Sequence, residues 1–197
     1  MKKIIIILAL FFATQLQAQT YDFYRVDPHQ SMVYWKCDKH NGQLNLKDGG
    51  FVVENRSIQK GLFYLDMQSI KDLDMSPKQF GTAVTILENT LKNEFFEVEK
   101  YPVAVFDMQE VLPLKDGTYQ ITGDFTLHGI TNCVSFIASI KIDGDTLHFT
   151  SETFKIDRTD WGIYRMSPKR PYSDDENGWT VPDTLEIRIK LTAKKEA

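Results

Sequence analysis

Apolar side chains recur at every second position through much of this chain. Tyr119, Ile121, Phe125 and Leu127 share one parity, while Gln120, Thr122, Asp124 and Thr126 take the other. Toward the C-terminus Leu185, Ile187, Ile189 and Leu191 alternate with Glu186, Arg188 and Lys190. Alternation of this kind turns one face to a core and the other to water, as half-buried antiparallel strands do. The same reading fits residues 31–37, 50–54, 60–67, 103–111, 133–142 and 146–156, with turn residues at Asp48-Gly49-Gly50, Lys115-Asp116-Gly117 and Asp143-Gly144-Asp145. About eight strands result. A two-sheet sandwich or a closed barrel would accommodate them, and only a barrel removes the exposed edges. Periodicity alone leaves both open.

One segment departs from period two. Ser76 before Pro77 is a helix-start signature, and Phe80, Val84, Leu87 and Leu91 follow at spacings of four, three and four. The spacing predicts an amphipathic helix ending near Asn93, just ahead of the adjacent Phe95 and Phe96. Two neighbouring aromatics diverge on a helix end, so at least one is expected to plug an apolar space. A lid over a cavity would use such a junction. The stretch from Ser167 to Gly178 is polar and carries two prolines, and it is expected to be an exposed, mobile loop.

The N-terminus reads as a secretory signal: Met1-Lys2-Lys3 is basic, Ile4 through Ala13 is apolar, and Leu16-Gln17-Ala18 offers a small residue for cleavage. Residues 1–18 are therefore expected to be a signal peptide and 19–197 one exported domain, periplasmic or otherwise outside the cytoplasm. The apolar run is short for a bilayer span and no second one follows, so no transmembrane anchor is expected. Removing Lys2 and Lys3 from the 23 basic residues leaves 21 against 27 acidic ones, a net charge of −6. Basic residues dispersed among acidic ones do not make a nucleic-acid surface. Two cysteines are too few for a disulfide scaffold. Cys37 shares parity with Val33 and Trp35, whereas Cys133 opposes Val134, Phe136, Ala138, Ile140 and Ile142, and these opposed parities argue against a bridge.

The histidines are His29, His40, His128 and His148, and none sits in a metal-ligand spacing. A site assembled in three dimensions from His29, His40 and His128 stays open as an alternative, which would make the chain a metal- or haem-dependent enzyme. No Gly-x-Ser-x-Gly elbow exposes a nucleophile. In Ile156-Asp157-Arg158-Thr159-Asp160-Trp161-Gly162-Ile163 two carboxylates flank a guanidinium. The group reads either as a head-group clamp or as a salt-linked strand end. Val33, Trp35, Phe63, Leu65, Phe106, Phe125, Leu127 and Phe136 carry the inward parity. They line a barrel interior or pack a core, and thirteen phenylalanines favour a cavity.

Several segments occur in the order typical of the YceI-like lipid/polyisoprenoid-binding family. Val26-Asp27-Pro28-His29-Gln30-Ser31 resembles its opening motif, and Trp35 through Lys39-His40-Asn41-Gly42 its first strand. The segment from Leu91 to Pro102 with Phe106 resembles the central signature, Gly123-Asp124-Phe125-Thr126-Leu127-His128-Gly129-Ile130-Thr131 a later strand and turn, and Ile156-Asp157-Arg158 with Trp161-Gly162-Ile163 the last motif. The resemblance covers roughly residues 24–192. It departs at Thr90, where the family often has histidine, and at the acidic loop 173–178.

The resemblance implies an all-β fold: a single eight-stranded antiparallel lipocalin-like barrel with one amphipathic helix covering an end. It implies a non-catalytic, exported protein holding an isoprenoid, a quinone or a similar amphiphilic lipid inside, for transport or storage. Phe95 and Phe96 join the eight inward residues as expected ligand-lining positions, and His29, His128, Arg158 and Asp160 are the expected head-group contacts at the mouth. No catalytic residue, metal or nucleic-acid partner is expected, and a homodimer stays open. Each buried methylene contributes about 0.8 kcal/mol, so one five-carbon unit grosses about 4 kcal/mol before ordering costs. The remaining alternative is a structural or stress-related interaction protein whose interior is simply packed.

Overall fold

A computed structural model describes residues 20–38, 40–170 and 179–196. The expected signal peptide lies outside the described residues. Ten strands form one antiparallel sheet: β1 (Tyr21–Val26), β2 (Met32–Cys37), β3 (His40–Glu54), β4 (Ser57–Asp72), β5 (Val103–Pro113), β6 (Tyr119–Leu127), β7 (Ile130–Asp143), β8 (Thr146–Ser151), β9 (Phe154–Asp157) and β10 (Thr184–Lys195). The sheet is the expected all-β one, with ten strands where eight were read. The pairing explains the difference. β2 through β8 pair in sequence order, and β10 joins β8 to β2, which makes a barrel-like ring. β1 adds to β10 and β3 beside β2, and β9 adds to β10 beside β8. Two positions of an eight-membered ring are thus each filled by two short strands.

Each break in those positions is patched by a serine. Between β1 and β2, the Ser31 hydroxyl accepts from Thr192 N at 3.0 Å. Between β8 and β9, the Ser151 hydroxyl accepts from Ile189 N at 2.8 Å. The hydroxyls satisfy backbone donors that an unbroken neighbour would have met.

Asp48-Gly49-Gly50 is not a turn but lies inside β3, next to a register shift. These glycines serve close approach: a Cβ at Gly50 would sit 2.4 Å from the Phe23 ring, and one at Gly49 would sit 2.8 Å from Phe63. The β3–β4 hairpin instead turns at Asn55-Arg56, both with left-handed φ, 49° and 64°.

The expected helix is present but jointed. α1 (Pro77–Phe80) ends at Gly81, whose φ is 57°, and α2 (Thr82–Thr90) runs into a π turn over Leu91–Phe95. Ser76 precedes Pro77 as expected, yet its side chain makes no capping bond, and Phe80 is exposed. The joint at Gly81 turns Phe80 off the apolar stripe. α2 packs on β4.

One end of the ring is solid. Tyr24, Val26, Phe51, Val53, Ile58, Ile121 and Leu147 are buried there. Phe51, Phe63, Phe106, Phe136 and Phe149 then form a closed circuit of ring contacts, with centroids 4.9–6.4 Å apart. Beyond this circuit the interior opens.

Candidate functional site: an apolar cavity under the helical segment

The cavity measures about 280 Å³. Strand alternation builds its wall, since side chains two apart share a face. Val33, Trp35 and Cys37 come from β2, Phe63, Leu65, Met67 and Ile70 from β4, and Leu185, Ile187, Ile189 and Leu191 from β10. Phe106, Phe125, Leu127 and Phe136 supply the facing side. Leu87, Thr90 and Leu91 reach it from the helical segment, as do both Phe95 and Phe96. All ten of the residues expected to line a ligand border this cavity. The π turn accounts for both phenylalanines arriving: Phe96 N donates to Leu91 O at 3.0 Å, five residues back, and this wider turn fans neighbours by less than the roughly 100° of an α-helix.

Polar groups are few, and those of Cys37 and Arg158 meet at one carbonyl. The Cys37 thiol and Arg158 Nε both donate to Pro182 O, at 3.4 and 3.3 Å. Burial pushes the Cys37 thiol above its ordinary value, so it stays protonated. Cys133 is exposed and both cysteines are free, as their parities require. The Trp35 indole Nε1 is buried with no acceptor among the described residues.

Arg158 lines the cavity, but its donors are committed. Nη1 donates to Ile163 O and Arg165 O, both at 2.8 Å, and Nη2 donates to Val181 O at 3.0 Å. Nη2 also lies 3.0 Å from Asp183 Oδ1, close enough for an ion pair though off the line of a hydrogen bond. Burial pulls the guanidinium below its ordinary pKa, and Asp183 opposes the pull. With a side chain 1% exposed and its face 5.4 Å from the Phe95 ring centre, Arg158 knots the loop after β9 to the helical segment. The salt-linked strand end is the reading this geometry fits. Asp157 completes the strand end by accepting from Thr159 N at 2.9 Å and Lys169 Nζ at 2.8 Å. Ser167, read as part of an exposed loop, is fully buried and donates to Asp183 Oδ2 at 3.0 Å, while residues 171–178 lie outside the described ones.

The other three expected mouth residues do not line the cavity. His29 sits in a 3-10 turn between β1 and β2, exposed, its N–H donating to Asp27 Oδ1 at 2.9 Å. His128 occupies the β6–β7 turn, with Nε2 2.7 Å from Glu97 Oε2, Nδ1 3.2 Å from Trp161 O, and Tyr101 against its ring. Asp160 is exposed, and its carbonyl accepts from Asn132 at 2.9 Å. His29 and His128 stand on separate connections, and His40 opens β3. His40 alone of them belongs to a group of three or more potential metal ligands among the described residues.

His40 lines the cavity and was not expected to. It pairs with Asp74 at 3.2 Å, and Asp72 lies 3.6 Å away. Burial pushes the Asp72 carboxyl up; it also pushes on Asp74, but the Asn41 N–H and the Asp72 contact hold that group below its ordinary value. Period two carried back from Leu44 and Leu46 reaches His40, and carried on from Phe63 and Leu65 it reaches Met67, whereas Ile70 lies three positions further on, past a break in the alternation of β4.

Fold and cavity together define a closed β ring with an apolar interior at one end. The chain belongs to the YceI-like family, whose domain matches residues 24–193. Its structure is similar to that of BcnA from Burkholderia cenocepacia, at 18% identity and a TM-score of 0.61, covering 86% of this chain and 99% of that one. A polyisoprenoid binding domain from Saccharophagus degradans, implicated in plant cell wall breakdown, is similar at 10% identity and a TM-score of 0.59, covering 90% and 99%. The Campylobacter jejuni YceI protein is similar at 20% identity and a TM-score of 0.54, covering 78% and 84%. These likenesses concern the fold. A UPF0312 protein of Pseudomonas putida KT2440 shares 41% identity over 51 residues, 26% of this chain and 27% of that protein. The chain thus matches about a quarter of the length of such curated relatives. Among the described residues no helix is long and apolar enough to cross a membrane.

Proposed function

We propose that this chain is an exported, non-catalytic binding protein that holds the tail of an isoprenoid or similar amphiphilic lipid inside a lipocalin-like barrel, for transport or storage. The observation that carries this reading is the cavity of about 280 Å³, walled by aliphatic and aromatic side chains under a helical segment. Its volume falls at the lower edge of ligand pockets, roughly 300 Å³. A space of that size suits a short prenyl stretch. Membership of the YceI-like family and a polyisoprenoid-binding neighbour support the ligand class. The Trp35 N–H, without an acceptor among the described residues, favours a ligand with an acceptor oxygen, such as a quinone carbonyl or a polyprenyl alcohol. The open volume disfavours a wholly packed interior.

Organic extraction of the purified protein followed by mass spectrometry tests the proposal. A stoichiometric isoprenoid or quinone is the expected result. A lipid-free preparation that also fails to bind quinones, polyprenols and fatty acids would overturn it.

A further inference from the structure

β3 begins at His40 and β4 ends at Asp72, so the two meet at the helical end of the ring. The chain leaves β4 through Asp72-Leu73-Asp74 and folds back against the start of β3. Leu73 N donates to Asn41 O at 2.9 Å. Two carboxylates and one imidazole are thereby gathered at a place where the metal-ligand spacings of the sequence gave no warning.

Each carboxylate is oriented by the backbone through one oxygen only. Met75 N donates to Asp72 Oδ1 at 2.7 Å, and Asn41 N donates to Asp74 Oδ1 at 2.8 Å. Both Oδ2 atoms are left facing His40 Nδ1, at 3.6 and 3.2 Å. The Asp72 side chain is 0% exposed, and its Oδ2 has no hydrogen-bond partner among the described residues. A buried carboxylate oxygen without a partner is costly, and it is the kind of group that a cation satisfies.

We propose that His40 Nδ1, Asp72 Oδ2 and Asp74 Oδ2 form a binding site for one divalent cation of the zinc type. Tetrahedral bonds of about 2.0–2.2 Å place neighbouring donor atoms roughly 3.3–3.6 Å apart. The distances of 3.2 and 3.6 Å from His40 Nδ1 are close to that spacing, and one ligand atom from each of the three residues lies within 4.8 Å of the others. One nitrogen and two carboxylate oxygens are a zinc-type donor set with a fourth position left for water or another ligand. Nδ1 coordinates with the imidazole proton on Nε2. The Met75 and Asn41 N–H groups are outer partners of the sort that fix ligating carboxylates. Glu88 of α2 borders the site, accepting from Asp72 N at 3.2 Å, so the cation would tie the helical segment to the ring. His40 also borders the cavity, but the assignment does not rest on what fills it.

Tag-free protein titrated with zinc in a calorimeter, and metal analysis after gel filtration, should show one equivalent bound. His40→Ala and Asp74→Asn should each weaken binding by more than the roughly 10–100-fold that loss of an outer partner costs. Both residues keep some exposure, so these variants are expected to fold, and circular dichroism checks that they do. Cobalt loaded in place of zinc should give the visible spectrum of a tetrahedral nitrogen and oxygen site. Absence of stoichiometric binding by the folded protein would overturn the assignment, as would binding that survives both substitutions. An intense sulfur-to-cobalt band would also overturn it, because Cys37, which pairs with His40 across the β2–β3 hairpin, would then be a ligand.

Discussion

Ser31 and Thr192 exchange two hydrogen bonds between neighbouring positions of the ring: the Ser31 hydroxyl accepts from Thr192 N at 3.0 Å and donates to Thr192 O at 3.3 Å. Thr192 O has a second donor in Asp27 N at 2.9 Å, but Thr192 N has no other acceptor described. Ser31→Ala should therefore strand a buried N–H and destabilise the fold by about 1–3 kcal/mol. Ser151→Ala should do the same through Ile189 N. Urea unfolding of both variants measures the loss, and a change below about 0.5 kcal/mol in each would show that the serines patch nothing.

Arg158 should matter for stability before it matters for any ligand. Its donors serve the carbonyls of Ile163, Arg165, Val181 and Pro182, and Asp183 balances its charge. Arg158→Met leaves Asp183 buried without its cation, and such losses cost about 3–5 kcal/mol. Thermal unfolding should reveal it. If Arg158→Met keeps wild-type stability and loses lipid affinity, the guanidinium is a head-group contact after all.

Phe95 and Phe96 separate the roles within the helical junction. Phe95 is buried beneath the Arg158 guanidinium and Phe96 is half-buried, yet both line the cavity. Phe95→Ala should cost about 3–5 kcal/mol and Phe96→Ala less, while each shortens lipid retention. Dissociation measured by displacement of a fluorescent lipid would check this. Should neither substitution alter retention or stability, the junction is only a surface connection.

Asp157 gives the fold a dependence on acid. Burial pushes its carboxyl up, but bonds from Lys169 Nζ, Thr159 Oγ1 and Thr159 N outweigh that and hold it below the usual carboxylate range. A lowered folded value means stability that is complete above the unfolded value, about 3.9, and is lost as pH falls through the folded one. Asp157→Asn should thus be less stable than the natural chain near neutrality, with the two curves converging in strong acid. Melting temperature recorded against pH for both proteins tests the sign, and a gap that widens toward acid would refute it.

Strand parity alone carries Val33, Trp35, Phe63, Leu65, Phe106, Phe125, Leu127 and Phe136 to one wall, because period two leaves a side chain no other face to take. The polar mouth was less legible. Arg158 reads in sequence as either a clamp or a salt-linked strand end, since the acceptors that occupy it are mostly main-chain carbonyls from residues 163–182, and carbonyls have no signature in a string of letters. Tyr21–Val26 escapes a period-two reading because its aromatics fall on both parities, Tyr21 and Phe23 exposed and Tyr24 buried, and part of its pairing lies with residues 193–195 at the far end of the sequence. Asp48-Gly49-Gly50 misled for the opposite reason: the same glycine that makes a turn also admits a ring against the backbone. His40, Asp72 and Asp74 meet only once β3 and β4 pair, so neither spacing nor composition announces them.

β10 pairs with β1, β2, β8 and β9, so every route around the ring passes through residues 184–195. Among the described strands it is the last that a ribosome makes. Until it emerges, β2 and β8 each keep an open edge, and an open edge recruits other chains. A nascent chain therefore cannot enclose its interior during synthesis, and the cavity comes into being only when the last strand docks. Any ligand that enters before that moment meets a trough rather than a chamber, which makes assembly itself an opportunity for loading.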